Sequence, residues 1–258
     1  MILNATVEID TMVSWNYVIR IPDENRDVYM ASHLSHRKAE MKYIIMCGGT
    51  YPKWDKPRQL IEINGEPIVA RTIRLLKENG IDDIAISSDN SVFEAFGVPV
   101  LKHDNYYYAL EYNFSDGFWC NAFYPTDDPT CYLFGDVVYS PEAIKTIVST
   151  ETDDIAFFGS APPFSRWYPK PYEEPFAFKV VNTQHLREAI EDVKRLYNDG
   201  RFNREPIAWE LWNVISRGTD GDVNHIDFGS FTIINDYTCD IDRPSEARLV
   251  SVVATAHG

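Results

Sequence analysis

The chain has 258 residues, of which 39 are acidic and 24 basic, so its formal net charge is -15. This balance argues against a nucleic-acid partner, because phosphate backbones are bound by broad basic faces. Hydrophobic residues make up 45% of the chain and aromatic residues 14%, which suits a large core and excludes wholesale disorder. No apolar run approaches the ~20 residues of a membrane-spanning helix, so no membrane partner is expected.

Compartment and domain organisation follow from the cysteines and the N-terminus. The four cysteines are scattered without CxxC spacing, and the first residues lack the basic-then-apolar layout of a secretion signal. We therefore expect reduced cysteines in a cytoplasmic protein. Residues 1–40 are polar and weakly patterned, apart from a strand candidate in 12–22, and are predicted to be an N-terminal extension. This extension is either a peripheral segment or one that forms oligomer contacts or a lid. The protein could form a homo-oligomer, which the sequence does not decide.

From Met41 to residue 258, apolar runs of strand length alternate with amphipathic helices. This alternation predicts a mostly parallel sheet covered on both faces, in a three-layer α/β/α domain of Rossmann-like type. The predicted strands are 42–47, 81–87, 98–101, 131–134, 155–158 and 176–181, and the predicted helices are 67–80, 183–197, 205–218 and one starting at Pro244.

The turn after the first strand is the first candidate ligand site, since ligands of parallel sheets bind beyond the carboxyl ends of the strands. Cys47–Thr50 contains two adjacent glycines, which let a ligand approach the backbone and its N–H groups closely. Three cations follow in an otherwise acidic chain: Lys53, Lys56 and Arg58. The turn matches neither GxGxxG nor GxxxxGK[ST], so we predict a phosphate-facing loop of another kind.

Carboxylates in two later segments are candidate metal ligands. Asp136 follows a buried strand and one glycine, where a carboxylate can hold Mg²⁺, although a loop or helix-cap aspartate is an ordinary alternative. Asp240 and Asp242 alternate around Ile241, so both would point to the same side of an extended segment. A cap for the helix at Pro244 explains Asp242 but not Asp240. Cations facing phosphates and carboxylates sharing a divalent ion are typical of phosphoryl or nucleotidyl transfer.

Three motifs, in this order, resemble nucleotidyltransferases of the sugar-phosphate and cytidylyltransferase superfamily. They are PRQLIEINGEPIVARTIRLLKENGIDDIAIS, GDVVYS and CDIDRPSEA, and the similarity spans roughly residues 41–250. The resemblance implies a mixed sheet of the glycosyltransferase-A-like type. It implies these site residues: Arg58, Lys53, Lys56 and Lys170 for catalysis; Cys47, Gly48, Gly49, Ser115, Asp116 and Gly117 for the nucleotide; Asp136, Asp240 and Asp242 for the metal.

The implied reaction joins a nucleoside triphosphate, with CTP slightly preferred, to a sugar phosphate or a small phosphorylated alcohol. It would depend on Mg²⁺ and release pyrophosphate. The first loop lacks the arginine usual in the resembling family, and Arg58 stands in place of a lysine. A nucleotide-binding paralogue with weak or no catalysis is therefore one alternative, and a metal-dependent glycosyltransferase using a nucleotide sugar is another. Glu173 and Glu174 are candidates for contacts with an amine or sugar hydroxyls, but they are expected to be solvated charges.

Overall fold

The computed structural model describes residues 17–18, 30–31, 41–48, 56–103, 119–162 and 170–257. The chain divides into two compact units, Met1–Glu40 and Met41–Gly258. In the first unit, strands β1 (Tyr17–Val18) and β2 (Met30–Ala31) pair antiparallel.

The second unit contains the alternating elements that the sequence predicts, together with several short ones. No helix within the described ranges is long and apolar enough to span a bilayer. In chain order the elements are β3 (Lys42–Met46), β4 (Glu62–Ile63), β5 (Glu66–Pro67), α1 (Ile68–Glu78), β6 (Ile84–Ser87), β7 (Val100–Leu101), β8 (Thr130–Phe134), β9 (Val137–Val138), α2 (Pro141–Ser149), β10 (Ile155–Gly159), β11 (Pro175–Val180), α3 (Thr183–Asn198), α4 (Ala208–Arg217), β12 (Thr232–Ile233), β13 (Cys239–Asp240) and α5 (Pro244–His257).

Seven of these strands form the central sheet, in the order β12-β10-β11-β8-β3-β6-β7. Strand β3 pairs parallel with both β6 and β8, while β11 is antiparallel to its neighbours β8 and β10. Helices flank the sheet. The prediction of a mostly parallel, mixed α/β sheet is therefore confirmed, and β11 is the strand that makes it mixed.

The pattern of buried residues explains why these segments form strands and helices. Ile44 and Ile45 on β3 are both fully buried, as expected for a strand covered on both faces. Helix α1 begins after Pro67, whose fixed φ suits a helix start, and buries one apolar stripe that includes Ile73 and Leu76. Gly80 follows the helix with φ 77°, a left-handed conformation that glycine adopts at low cost.

A small two-stranded ribbon places the C-terminal segment beside the end of β8. In it, β13 pairs antiparallel with β9, so that Asp240 lies opposite Val137. The main-chain N–H of Ile241 also donates to the carbonyl oxygen of Asp136, at 3.1 Å. Ile241 is fully buried in a second apolar cluster with Val138 and residues of α5. This packing fixes the neighbouring aspartates at the ligand-binding edge of the sheet.

Candidate active site

A cavity of about 240 Å³ opens at the edge where β3 and β8 end. Because β11 runs antiparallel to these strands, its beginning lies at the same edge. Gly48, Arg58, Asp136 and Asp242 line the cavity, together with Glu174 just before β11. Residues distant in sequence therefore meet at the place where parallel sheets bind their ligands.

Gly135 permits the close approach on which this arrangement depends. A Cβ atom at this position would clash with the main-chain oxygen of Met46 and lie 2.8 Å from the Cys47 Sγ atom. Without it, the N–H of Gly135 donates to the Met46 carbonyl oxygen at 3.1 Å. The chain can therefore turn tightly against the end of β3 and present Asp136 to the cavity.

Arg58 joins two carboxylates that are distant in sequence. Its Nη2 lies 2.6 Å from Asp136 Oδ2, and its Nη1 lies 2.7 Å from Asp242 Oδ1. The side chain is only 10% exposed and belongs to a short 3-10 turn, Arg58–Leu60. Charge-assisted hydrogen bonds of this kind are short and strong, and the planar guanidinium suits such bridging.

Lys170 lies inside a second group of carboxylates. Its ammonium donates to Asp240 Oδ1, to Asp242 Oδ2 at 2.9 Å and to Glu174 Oε1 at 3.0 Å. Asp240 and Asp242 thus point to the same side of the extended segment, with Ile241 buried on the other side. The Lys170 side chain is 1% exposed, so this cation is almost completely removed from water.

Glu174 is a site residue that the sequence analysis did not identify, and the expectation that it is solvated is wrong. It is 7% exposed, and Ser160 holds its main chain from both sides. The Ser160 N–H donates to the Glu174 carbonyl oxygen, and the Glu174 N–H donates to Ser160 Oγ, each at 2.8 Å. The signal that could have indicated burial is its position immediately before β11, four residues after Lys170.

Burial and neighbouring charges set the ionisation of the cluster. Burial raises the pKa of Glu174 to about 9, and the charge of Asp240 adds to the effect. Burial also raises the pKa of Asp240 to about 7, against the opposing charge of Lys170. At Asp242 the charges of Lys170 and Arg58 outweigh burial and lower the pKa. Burial disfavours the Lys170 ammonium, yet Asp240 and Glu174 raise its pKa above the ordinary value, so Lys170 stays charged.

The carboxylates fit a divalent cation by their chemistry. Glu174, Asp240 and Asp242 each offer an oxygen, and these oxygens lie within 4.8 Å of one another. With Asp136, and with Glu246 at 4.0 Å from Lys170, five carboxylates face the two cations Arg58 and Lys170, which leaves an excess of three negative charges when all are ionised. Carboxylate oxygens are also the ligands that Mg²⁺ prefers in proteins.

The remaining predicted site residues lie at the margin of this cluster or outside the described residues. Cys47 is buried against Gly135, and Gly48 lines the cavity, whereas Lys56 is exposed. Residues predicted from the sequence that fall outside the described ranges are Gly49, Lys53, Ser115, Asp116 and Gly117.

A comparison with family models identifies the family of the chain. The model described as the MobA-like NTP transferase domain matches residues 43–200, well over half of the chain. The chain belongs to this family. The MobA-like NTP transferases are nucleotidyltransferases, so the protein is an enzyme that transfers nucleotidyl groups, as the sequence predicts.

One solved structure shows the same fold at low sequence identity, and a second is similar at a lower TM-score. The inositol-1-phosphate CTP transferase from T. maritima is 15% identical, with a TM-score of 0.50 over 83% of this chain and 96% of its own. The CTP:phosphocholine cytidylyltransferase from Streptococcus pneumoniae is 14% identical, with a TM-score of 0.47 over 83% of this chain and 98% of its own. A sequence comparison with curated proteins gave no significant match.

Proposed function

We propose that this MobA-like NTP transferase joins a nucleoside triphosphate to a sugar phosphate or a small phosphorylated alcohol, with Mg²⁺, and releases pyrophosphate. The observation that carries the proposal is the network in which Arg58 and Lys170 meet Asp136, Asp240 and Asp242 beside the cavity. Fixed cations of this kind stabilise the charge that develops on phosphate oxygens. No protein nucleophile is needed.

In the proposed reaction, an oxygen of the acceptor phosphate forms a bond to the α-phosphorus of the triphosphate. The bond from the α-phosphorus to the oxygen that bridges it to the β-phosphate breaks, and pyrophosphate leaves with that electron pair. Arg58, Lys53 and Lys56 would hold the triphosphate, and Lys170 would lie near the acceptor phosphate. Asp136, Asp240 and Asp242 would hold Mg²⁺, which when bound neutralises phosphate charge and helps to align the reacting groups.

Nucleotide contacts are proposed for the turn after β3 and for one segment outside the described residues. The turn would supply Cys47, Gly48 and Gly49, and the segment would supply Ser115–Gly117. The slight preference for CTP rests on the compact element Asp240–Asp242, which resembles the cytidylyltransferase branch. A cytoplasmic location and a role for residues 1–40 in oligomer contacts or as a lid stay predictions.

The two alternatives differ from this proposal in their products. A glycosyltransferase using a nucleotide sugar would release a nucleoside diphosphate. Its usual D-x-D motif at the end of a central strand is here Phe134-Gly135-Asp136, which argues against it. A paralogue without catalysis would bind nucleotide and release nothing, and the first loop, which lacks the family's usual arginine, is the feature that favours it.

The deciding experiment measures pyrophosphate release with each of the four NTPs, Mg²⁺ and a panel of sugar phosphates and alcohol phosphates. We expect release with one NTP and a narrow set of acceptors, and a loss of at least roughly 100-fold in the Asp136→Ala variant, because a proposed ligand of the charge-neutralising Mg²⁺ is removed.

Thermal shifts with Mg²⁺ and each NTP provide the matched binding readout, since a ligand that binds the native state stabilises it. Absence of release across the panel, together with Asp136→Ala binding nucleotide and Mg²⁺ as well as wild type, would contradict the proposal. Nucleotide binding without turnover would favour the inactive paralogue.

A further inference from the structure

The two carboxylates at the centre of the proposed metal site are bridged by a cation of the chain itself. Arg58 Nη2 contacts Asp136 Oδ2 at 2.6 Å, and Arg58 Nη1 contacts Asp242 Oδ1 at 2.7 Å. Asp136 follows β8, whereas Asp242 lies just before α5, over a hundred positions later. A single guanidinium can hold both because it presents several N–H donors in a fixed planar fork. In this arrangement Arg58 neutralises the two carboxylates, as a bound divalent cation would.

The second cation of the cluster is held differently. The Lys170 side chain is 1% exposed and surrounded by Glu174, Asp240 and Asp242, whereas Arg58 lies on the wall of the cavity. Moving Lys170 would leave several buried carboxylates without a counter-ion, which is strongly unfavourable. Arg58 can instead exchange its carboxylates for other anions that enter the cavity. The phosphates of a nucleotide are such anions, and guanidinium binds them in the same bidentate manner.

We propose that Arg58 is an exchangeable internal cation that couples nucleotide binding to divalent-ion binding. Without ligand, Arg58 neutralises Asp136 and Asp242 and so competes with a divalent ion for them. When a nucleotide enters the cavity, its phosphates become the partners of Arg58, and both carboxylates become available as ligands. The inference rests on the proposed nucleotidyl transfer and adds a regulation of the same site that the reaction alone does not require.

The proposal has a thermodynamic consequence. If the nucleotide makes Asp136 and Asp242 available to a divalent ion, then the ion must strengthen nucleotide binding by the same factor. Removing Arg58 should weaken both the effect of nucleotide on ion binding and the effect of the ion on nucleotide binding. The two carboxylates would then bind the ion without nucleotide, because Arg58 no longer competes for them, although Lys170 still contacts Asp242.

The test measures binding, not turnover, with Mn²⁺ as a paramagnetic probe of the divalent-ion site. Unbound Mn²⁺ is measured by electron paramagnetic resonance, without nucleotide and with the α,β-methylene analogue of the NTP that gives the largest thermal shift. For wild type we expect the analogue to strengthen Mn²⁺ binding by roughly 10-fold or more. For Arg58→Gln we expect Mn²⁺ alone to bind roughly 10-fold more tightly than to wild type, with most of the strengthening by nucleotide lost.

Two further variants control the experiment. Arg58→Lys keeps the charge but loses the planar, bidentate guanidinium, so it should bind Mn²⁺ alone more tightly than wild type. If Arg58→Gln does not fold, Arg58→Lys replaces it in the test. Arg74→Gln removes an arginine that also bridges two carboxylates, Glu66 and Glu78, on the exposed surface, and it should behave as wild type. Far-UV circular dichroism checks the fold of each variant.

The outcomes separate this inference from the proposed function. If the Arg58 variants bind Mn²⁺ alone no more tightly than wild type, while nucleotide binding persists, the inference is overturned and the proposed function stands. Mn²⁺ binding by wild type that is equally tight with and without bound analogue also overturns it. If wild type binds no nucleotide in the presence of Mn²⁺, both the coupling and the proposed function are contradicted.

Discussion

At the scale of single residues, the site is a network of alternating charges that are largely withdrawn from water. Lys170 has the smallest exposed fraction in the network, and its ammonium contacts Glu174, Asp240 and Asp242. In such a network the loss of one partner costs more than the pair contributes, because the remaining charges stay buried without a counter-ion. The network therefore makes the stability of the fold depend on the residues proposed to act in catalysis.

Lys170→Met tests this dependence. The side chain keeps most of its volume but loses its charge, so we expect the free energy of unfolding to fall by about 3 to 5 kcal/mol in urea titrations at neutral pH. Lys194→Met is the control, because Lys194 forms an exposed pair with Glu191 and its loss should cost under about 1 kcal/mol. A loss at Lys170 no larger than that of the control would show that Lys170 is not the counter-ion of the cluster.

Glu205 provides a pH-dependent prediction outside this network. Its Oε1 atom is buried and has no hydrogen-bond partner in the described part of the chain, and burial raises the pKa of this carboxyl to about 7. Because the folded-state pKa lies above the unfolded one, Glu205 contributes stability at low pH that is lost as the pH rises through about 7. Compared with Glu205→Gln, wild type should therefore lose stability between about pH 5 and pH 8.

Urea titrations at these two pH values give the difference in the free energy of unfolding between wild type and Glu205→Gln. Comparing this difference at the two pH values cancels the contribution of other titrating groups. A gap between wild type and Glu205→Gln that stays constant or widens in favour of wild type with rising pH would contradict the prediction.

At the scale of secondary structure, the long elements were predictable and most of the short ones were not. Predictions matched β3, β6, β7, β8, β10, β11 and every described α-helix except α2, because each long element has an apolar pattern or a clear start signal and the apolar run around β7 is longer than the strand itself. Helix α2 was missed although Ser140 caps it and Pro141 begins it. The two-residue strands β9, β12 and β13 are too short for any periodicity, and the antiparallel direction of β11 is not encoded in its apolar residues.

The same limit applies to the site. Sequence reasoning selected Arg58 for phosphate binding, and Asp136 and Asp242 as ligands of one shared metal ion. That Arg58 forms ion pairs with both aspartates depends on the pairing of β13 with β9, which no local pattern indicates. Glu174 was missed for a related reason, since its burial follows from the packing of β11 against β10 and β8.

Gly135→Ala tests how strictly the turn between β8 and Asp136 is constrained. The added methyl group would collide with the main chain of Met46 and with Cys47 Sγ, so we expect a loss of about 1 to 3 kcal/mol in the free energy of unfolding. Nucleotide binding should weaken as well, because the turn carries Asp136. Gly229→Ala is the control, since the Cβ atom there would meet only the Asp227 Oδ1 atom, at 3.3 Å. Equal stability of the two variants would contradict the constraint.

At the scale of the whole molecule, both apolar clusters formed by the described residues lie within the second unit, Met41–Gly258. The large cluster covers both faces of the sheet, and a smaller one joins α5 to β4, β9 and β13. Every contact described for the site also lies in this unit. The sequence-based boundary at Met41 therefore leads to a prediction about the chain without its first 40 residues.

A variant that starts at Met41 should fold cooperatively and bind nucleotide with an affinity close to that of the full chain. Circular dichroism during heating and thermal shifts with each NTP are the measurements. Aggregation or loss of cooperative melting would show that the extension is part of the fold. Retained folding with lost nucleotide binding would instead favour its role as a lid.

The direction of β11 has a consequence for how such a site can diversify. Because β11 runs against its neighbours in the central sheet, the chain leaves the site through β11, whereas it enters the site through β3 and β8. Glu174, which precedes β11 and contacts the buried Lys170, thus lines one side of the cavity, and residues that follow β3 line the other. If the proposed acceptor phosphate binds beside Lys170, insertions ahead of β11 would alter the choice of acceptor while the nucleotide side stays the same, so the two binding sites would evolve under separate constraints.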